Sequence, residues 1–474
     1  MASASPMFCE APVTTARASG LGAGTGMGRT ISWATVMQTR PPGQPARRSQ
    51  VLAWGLWDVG ATGVNAIVTT FVFSVYLTST VGDDLPGGTT PQSWLFRALA
   101  AAGLVVAVLA PLTGVWVDAP WRRRGVLALL SAAVMVLTAS MSLVRDDYHY
   151  LWLGLILLGG TAACAELSTV PYNAMMRQLS TPETSGRISG FGSGMGYSGS
   201  VMLLLIVYVG VIAGDGDTRG LLGIPAADGQ NVRAAMLLAA VWFALFALPI
   251  FVAVPAPPRE PADAGEGVGL VGAYRKLWRE IVGEWRRDHN IVYYLFASAV
   301  FRDGLTGVFS FGAVLGVSAY GISSANVLLF GVSASVIAAL GAFVGGLVDD
   351  RIGSKPVILG SLASMIAISL VLWSLSGPLG FWVCGLLLCL FVGPTQSSAR
   401  TLMLRMSTEG KEGVTFGLYT TTGRAVSFLA PFLISVCIDW FGTVRAGIGG
   451  LVLVLAAGMV MMALVHAPHR VPAR

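Results

Sequence analysis

The sequence predicts an all-α integral membrane protein whose twelve transmembrane helices form two six-helix bundles. Three observations support this fold class. Only 11% of the 474 residues are charged and 54% are hydrophobic, whereas an average soluble domain carries about 25% charged residues. Apolar segments long enough to cross a bilayer recur along the chain, and the two halves share short motifs in the same order. A soluble enzyme or nucleic-acid-binding domain could not cover its surface with so little charge.

The segments follow one another in a simple order. Residues 1–50, rich in Gly, Ala, Ser, Thr and Pro, predict a disordered cytoplasmic tail, and 51–254 predict the N-terminal bundle. Residues 255–290 predict a cytoplasmic linker, in which apolar residues at helical spacing alternate with basic ones, as in a helix lying in a membrane interface. The C-terminal bundle covers 291–466, and 467–474 form a second cytoplasmic tail. The predicted spans are 52–79, 94–117, 124–144, 150–171, 188–212, 233–254, 291–317, 326–348, 356–376, 379–400, 414–438 and 446–466.

The distribution of basic residues predicts the orientation. If both termini are cytoplasmic, 23 of the 30 Lys and Arg residues lie on the cytoplasmic side and five lie on the other side. Because basic loops stay in the cytoplasm, we expect both termini there, in the inner (plasma) membrane of a bacterium. The five cysteines form no C-x-x-C pair, and no ATP-binding G-x-x-x-x-G-K-[ST] motif occurs. We therefore expect no cofactor, no metal site, no nucleic acid and no enzyme activity.

Two loops carry related motifs at matching positions. Gly346-Leu-Val-Asp349-Asp350-Arg351-Ile-Gly353-Ser-Lys355 lies between spans 8 and 9, and a degraded copy, Gly114-Val-Trp-Val-Asp118-Ala-Pro-Trp-Arg122, lies between spans 2 and 3. Glycine allows two helices to approach closely, and an aspartate can meet a helix N-terminus or a basic partner. The predicted cytoplasmic gate consists of Gly114, Asp118, Arg122, Gly346, Asp350, Arg351, Gly353 and Lys355.

The complete loop between spans 8 and 9, residues 346–355, resembles the signature loop of the major facilitator superfamily. Other segments resemble one group within it, the vacuole-effluxer-like (autophagy-related) permeases. They include Trp54-Gly-Leu-Trp57-Asp58, Tyr172-Asn173-Ala-Met-Met, Arg302-Asp303-Gly304-Leu and Gln396-Ser-Ser-Ala-Arg400. The resemblance implies the twelve-helix major facilitator fold, a loop that holds the outward-open state, and solute efflux, with amino acids as the substrates of the fungal members.

Five ionisable residues fall inside the predicted spans, where charge is costly and therefore functional by default. Asp58, Glu166, Arg302 and Asp303 lie on spans 1, 4 and 7, which line the cavity in the superfamily, and Arg424 lies deep in span 11. The halves also match by sequence: Gly190 and Gly196-Tyr197 correspond to Gly417 and Gly423-Arg424 at a constant offset. The candidate substrate or ion cavity comprises Asp58, Thr62, Asn65, Glu166, Asn173, Tyr197, Arg302, Asp303, Gln396, Arg400 and Arg424.

The sequence leaves three roles open for these charges: a cytoplasmic gate of ion pairs, a substrate or proton site, and structural pairing. Three acids against two arginines leave one acid uncompensated, which favours binding of a proton or Na⁺. Our hypothesis is that Asp58, Glu166 or Asp303 exchanges protons, while Arg424 or Arg302 attracts a carboxylate-bearing solute. The glycine run from Gly190 to Gly199 in span 5 predicts a helix-packing face.

Secondary active transport by rocking of the two bundles is the function that these features favour. The expected cargo is a small polar solute, which includes amino-acid-like compounds, and the expected direction is efflux, with proton coupling as an option. We expect a monomer surrounded by membrane lipids. Two alternatives from other classes remain: a lipid or lysophospholipid translocase, and a non-transporting sensor or assembly partner built on a transporter scaffold.

Overall fold

The computed structural model describes residues 46–86, 90–214, 217–257 and 289–467, and four single residues between 272 and 283. Residues 1–45 of the expected tail, the end of the chain from 468 and most of the expected linker helix lie outside the described residues. Residues 48–50, which were also expected in the tail, form the start of the first helix. In the described part, twelve helices are long and apolar enough to cross a membrane. They are Arg48–Val81, Pro91–Val117, Pro120–Leu143, Tyr148–Leu179, Ser185–Ile212, Ala227–Ala253, His289–Tyr320, Leu329–Ile352, Ser354–Ser374, Pro378–Met406, Glu412–Phe441 and Val444–Leu464, numbered spans 1 to 12 below.

The architecture is all-α, with twelve membrane helices in two six-helix halves. Because the number of spans is even, residues 46 and 467 lie at the same membrane face, which we call the termini face; the opposite face is the far face. Odd-numbered spans begin at the termini face and even-numbered spans end there. A two-stranded antiparallel ribbon, Thr218–Arg219 with Ile224–Pro225, lies in the loop between spans 5 and 6 and was not predicted.

Several spans are not uniform α-helices. Span 1 is α-helical over Arg48–Asn65 and continues with π-helical turns over Ala66–Phe71 and Leu77–Val81. Span 5 is α-helical over Ser185–Val207 before a π-helical turn. Span 11 is interrupted between Glu412–Val426 and Leu429–Phe441. Such a break leaves backbone groups without their helical partners, which the membrane tolerates only where protein or water satisfies them.

The glycine run of span 5 packs against two neighbours, as predicted. A Cβ at Gly192 would lie 2.5 Å from the Trp54 ring of span 1, and one at Gly194 would lie 2.6 Å from the Phe343 ring of span 8. Tyr172 of span 4 stacks on both Trp54 and Trp57, with ring centroids 4.5 and 4.4 Å away. Small residues on span 5 therefore allow spans 1, 4 and 8 to approach closely, and this positions the polar residues that follow.

Candidate functional site

The two related loops place their aspartates on helix N-termini of the opposite half. Asp118 accepts a hydrogen bond from the backbone N–H of Val414 at 3.0 Å, at the start of span 11. Asp350 accepts from the N–H groups of Gly186 and Arg187 at 2.8 and 3.0 Å, at the start of span 5. The first N–H groups of a helix lack internal partners and carry partial positive charge. The degraded first loop therefore makes the same contact as the complete second loop.

Glycines bring the backbones of the two halves together at the same two places. A Cβ on Gly114 would lie 2.5 Å from the carbonyl oxygen of Gly413, and one on Gly346 would lie 2.6 Å from that of Gly186. Any side chain at these positions would push the helices apart. The loop glycine and the loop aspartate thus act together. The glycine permits the close approach of the two halves, and the aspartate bonds to the helix N-terminus of the opposite half.

A buried ion-pair cluster lies beside the first of these contacts. The Arg123 guanidinium donates to Glu412 at 2.8 Å, and these side chains are only 2% and 1% exposed. Arg177 at the end of span 4 donates to the other oxygen of Glu412 at 2.9 Å. Arg122, which the sequence predicted for the gate in place of Arg123, has its guanidinium over the Trp121 ring, 4.6 Å from the ring centroid.

Arg405 stabilises the contact between Asp350 and the start of span 5. It donates to Asp349 at 2.6 Å, to Asp350 at 3.4 Å and, across the halves, to the Ser185 hydroxyl at 3.0 Å. The predicted basic residues of this loop lie elsewhere. Arg351 is exposed, and Lys355 donates to backbone carbonyls at the end of span 12, within its own half. We call the set Asp118, Arg123, Arg177, Asp350, Arg405 and Glu412 the termini-face seal.

Four members of the seal were not predicted from the sequence: Arg123, Arg177, Arg405 and Glu412. Glu412 was placed in a loop, because the predicted span 11 began at residue 414, whereas the helix begins at Glu412. An acidic residue in the first turn of a helix was the available signal. Gly353 does have a backbone role, since its φ of 94° lies in the region that favours glycine and separates spans 8 and 9.

Arg400 of span 10 reaches into the first half, deeper than the seal. Its guanidinium donates to the Ser189 hydroxyl at 2.9 Å and carbonyl at 2.6 Å, to Ser193 at 2.9 Å and to Asn173 at 3.4 Å. It also lies over the Trp54 ring, 5.2 Å from its centroid. Five polar and aromatic contacts from three spans of the other half therefore surround one cation.

Asp58 lies near this arginine. It accepts a hydrogen bond from the Thr62 hydroxyl at 3.2 Å and interacts electrostatically with Arg400. The structure thus brings together four predicted residues from three spans: Asp58, Thr62, Asn173 and Arg400. Asn65, one turn further along span 1, is exposed, and its side chain makes no hydrogen bond within the described part of the chain.

Two further contacts cross between the halves at greater depth. Arg424 donates to Glu166 at 2.6 Å, and the Tyr197 hydroxyl donates to Gln396 at 2.7 Å. Tyr197 and Arg424 each lie twelve residues into their spans, about 18 Å from the start at 1.5 Å per residue. The two matching positions of the internal repeat therefore both bond to a residue of the opposite half. The Glu166 and Arg424 side chains remain 27% and 37% exposed, so the pair is accessible to water or solute.

Arg302 and Asp303 are not part of these pairs. Arg302 donates to the Tyr419 carbonyl at 3.1 Å and lies 3.9 Å from the centroid of the Tyr419 ring. Asp303 is buried and accepts from the Ala430 N–H at 2.5 Å, at the start of the second helix of span 11. The carboxylate caps the helix that follows the break, which gives this membrane charge a structural role.

We predict that Asp303→Ala destabilises the protein, whereas Asp303→Asn does not. Alanine leaves the N–H of Ala430 unsatisfied in the membrane, at a cost of about 1–2 kcal/mol, while the asparagine oxygen can still accept. Thermal melting of the purified variants in detergent checks this order. If the two variants have the same melting temperature, the Asp303 carboxylate is not acting as a cap.

The fold and the site together define a class of protein. Two helical halves meet through polar contacts at one membrane face, and a partly exposed ion pair lies between them deeper in the membrane. Within the described residues, no three His, Cys, Asp or Glu side chains are arranged to hold a metal ion. The polar contacts between the halves and the partly exposed ion pair are the arrangement of a membrane transporter.

The sequence of residues 177–471 matches the family described as vacuole effluxer Atg22 like, and the chain belongs to that family. The uncharacterized MFS-type transporter YxiO of Bacillus subtilis is 21% identical over 418 residues, which cover 87% of this chain and 94% of YxiO. Autophagy-related protein 22-1 of Neosartorya fischeri is 25% identical over 304 residues, 59% of this chain but only 48% of the fungal protein. The alignment thus spans about half the length of that relative.

A solved structure confirms the predicted fold. The proton:xylose symporter XylE of the major facilitator superfamily superposes with a TM-score of 0.66 at 12% identity, covering 88% of this chain and 94% of XylE. The family membership and this shared fold together place the protein among the transporters of the major facilitator superfamily.

Proposed function

We propose that this protein is a secondary active transporter that exports a small polar solute by alternating access. The termini face is assigned to the cytoplasm, because basic residues concentrate there. On this assignment, the seal closes the cytoplasmic side. Export then requires that the seal opens to admit solute and closes again before the solute leaves at the far face.

The observation that carries the proposal is the chemistry of the contacts between the halves. At the termini face they consist of ion pairs and hydrogen bonds to helix N-termini, and water can replace each partner when the halves separate. A buried ion pair gains little net stability over the solvated ions, because desolvation offsets the Coulomb attraction. Such contacts can therefore open and close, as rocking of two halves requires.

The Glu166–Arg424 pair is the proposed solute site. The pair bridges the halves and is partly exposed. Its arginine, Arg424, lies three residues before the interruption of span 11 at Ser427. Discontinuous helices near the midplane form the substrate sites of many transporters. A solute carboxylate would replace Glu166 on Arg424, and a solute ammonium group would pair with Glu166. An amino-acid-like solute supplies both groups, and Tyr197 and Gln396 offer further hydrogen bonds.

Proton coupling through Glu166 leads to a direct prediction. Glu166→Gln keeps a hydrogen-bonding group opposite Arg424 but cannot exchange a proton. We expect solute exchange to persist with weaker affinity, because the neutral amide pairs less well with a solute ammonium group, while transport driven by a pH gradient is lost. Proteoliposomes with and without an imposed pH gradient provide the measurement. Retention of full gradient-driven transport would exclude Glu166 as the coupling site, and Asp58→Asn would then test the remaining acid near Arg400.

The central experiment is a ligand screen followed by a flux assay. Purified protein is melted in the presence of amino acids, peptides, sugars and drugs at two pH values, and each stabilising compound is tested for counterflow in proteoliposomes. We expect at least one carboxylate-bearing solute both to stabilise the protein and to exchange across the vesicle membrane. A fluorescent lysophospholipid in the same vesicles tests the lipid alternative. Lipid flipping without solute exchange, or no flux of either kind, would overturn the proposal.

A further inference from the structure

A groove at the termini face lies apart from the pathway described above. It has a volume of about 220 Å³ and separates the first two turns of span 7 from the first three turns of span 11. Phe296 in its lining is 51% exposed, and exposed apolar side chains on a membrane span are suited to contact with lipid. The lining residues are Ile291, Val292, Leu295, Phe296, Thr408, Lys411, Val414, Thr415, Leu418 and Thr422.

The walls offer apolar contact and a single charge. The Thr415 hydroxyl already donates to the Lys411 carbonyl at 2.8 Å. The Thr422 hydroxyl donates to the Leu418 carbonyl at 2.9 Å. Lys411 is the one charged residue of the lining, and it forms no ion pair within the described part of the chain. A polar solute in this groove would replace few of its hydrogen bonds to water, because the Thr415 and Thr422 hydroxyls can now only accept.

The first half fills the corresponding space. Phe191 matches Leu418 in the internal repeat, one residue after the Gly190 and Gly417 pair. The Phe191 ring packs against span 1 so closely that a Cβ on Gly55 would lie 2.6 Å from it. At the next position the first half has Gly192 and the second has Tyr419, whose ring lies against Arg302 of span 7, with the ring centroid 3.9 Å from the guanidinium carbon. At these two matching positions the halves therefore pack differently.

We infer that this groove binds one acyl chain of an anionic phospholipid, with the headgroup phosphate against the Lys411 ammonium. The chain contacts the apolar walls, while lysine at the membrane surface attracts an anionic headgroup. The site adjoins the termini-face seal, because Val414 lines the groove and donates its N–H to Asp118. Lipid binding here stands independently of the transported solute.

Photolabelling tests the acyl-chain part of this inference. The full chain is placed in phosphatidylcholine nanodiscs that contain phosphatidylglycerol with a diazirine in the acyl chain, and labelled peptides are mapped after irradiation. We expect labels to concentrate on 291–296 and 414–422. Leu418→Phe should remove most of this labelling, as Phe191 fills the first half, whereas Leu129→Phe on the exposed surface of span 3 should not. Equal labelling of the two variants would overturn the inference.

Headgroup selectivity is tested with the same probe on phosphatidylcholine. We expect the wild type to prefer the phosphatidylglycerol probe by about fivefold, as for one lysine near a membrane surface. Lys411→Gln should keep acyl labelling and lose this preference. Excess inorganic phosphate should leave the preference unchanged, because the acyl chain supplies much of the binding. Equal labelling by both probes in the wild type, or loss of the preference in free phosphate, would contradict a lipid headgroup at Lys411.

Discussion

Glu412→Ala should open the termini face. The substitution leaves Arg123, which is 2% exposed, without its carboxylate partner, and it removes the partner of Arg177 as well. Removing one member of a buried ion pair costs about 3–5 kcal/mol. The protein can avoid this cost by separating its halves, because both arginines then meet water. A free-energy change of this size shifts a two-state equilibrium by at least about 100-fold.

Accessibility of a cysteine measures this shift. Ser189 is fully buried and bonds to Arg400 and to the Ser397 carbonyl across the halves. A Ser189→Cys reporter, in a chain without its native cysteines, is treated with a hydrophilic maleimide from the termini side. We expect rapid labelling with Glu412→Ala and slow labelling in the parent. Glu409→Ala is the matched control, since it removes an exposed glutamate three residues earlier. Equal rates in both variants would show that Glu412 does not hold the seal.

Arg424→Ala should weaken solute binding strongly. Arg424 is the deepest cation that bridges the halves, and its removal leaves Glu166 unpaired between them. The loss of a charge-assisted contact in a partly buried site costs about 2–5 kcal/mol, a weakening of roughly 30-fold or more. Titration of a solute from the melting screen against wild type and variant provides the measurement.

Two comparisons make the Arg424 result specific. Arg97→Ala removes an arginine that lies over the Trp94 ring on span 2, outside the contacts between the halves, and should leave affinity unchanged. Arg424→Lys keeps the charge but not the planar guanidinium, and should bind with intermediate affinity. Unchanged affinity in Arg424→Ala would remove this residue from the solute site, while a loss in Arg97→Ala as well would indicate a general effect on folding.

The span count and the membrane fold were predictable because lipid imposes a local rule. Every backbone amide must bond within its own helix, so an apolar run of sufficient length predicts a span without knowledge of its neighbours. Asp118 and Asp350 were predictable as partners of helix N-termini for a similar reason, since the loop glycine and aspartate form one short motif. The interruption of span 11 also had a local signal, because Pro431 has no N–H to bond to the Ser427 carbonyl four residues earlier. The two-residue ribbon between spans 5 and 6 had none.

The tertiary structure alone decided which charges are paired. From the sequence, Asp58, Glu166, Arg302, Asp303 and Arg424 were five membrane charges whose partners could not be assigned. The fold pairs Glu166 with Arg424 and assigns Asp303 to a helix end and Arg302 to the Tyr419 ring. It also selects Arg123 rather than Arg122 for the seal. These choices depend on how far each helix is rotated about its axis and how deep it lies against a helix more than 100 residues away. Sequence spacing fixes the face of one helix, but only the packing of both halves fixes what that face meets.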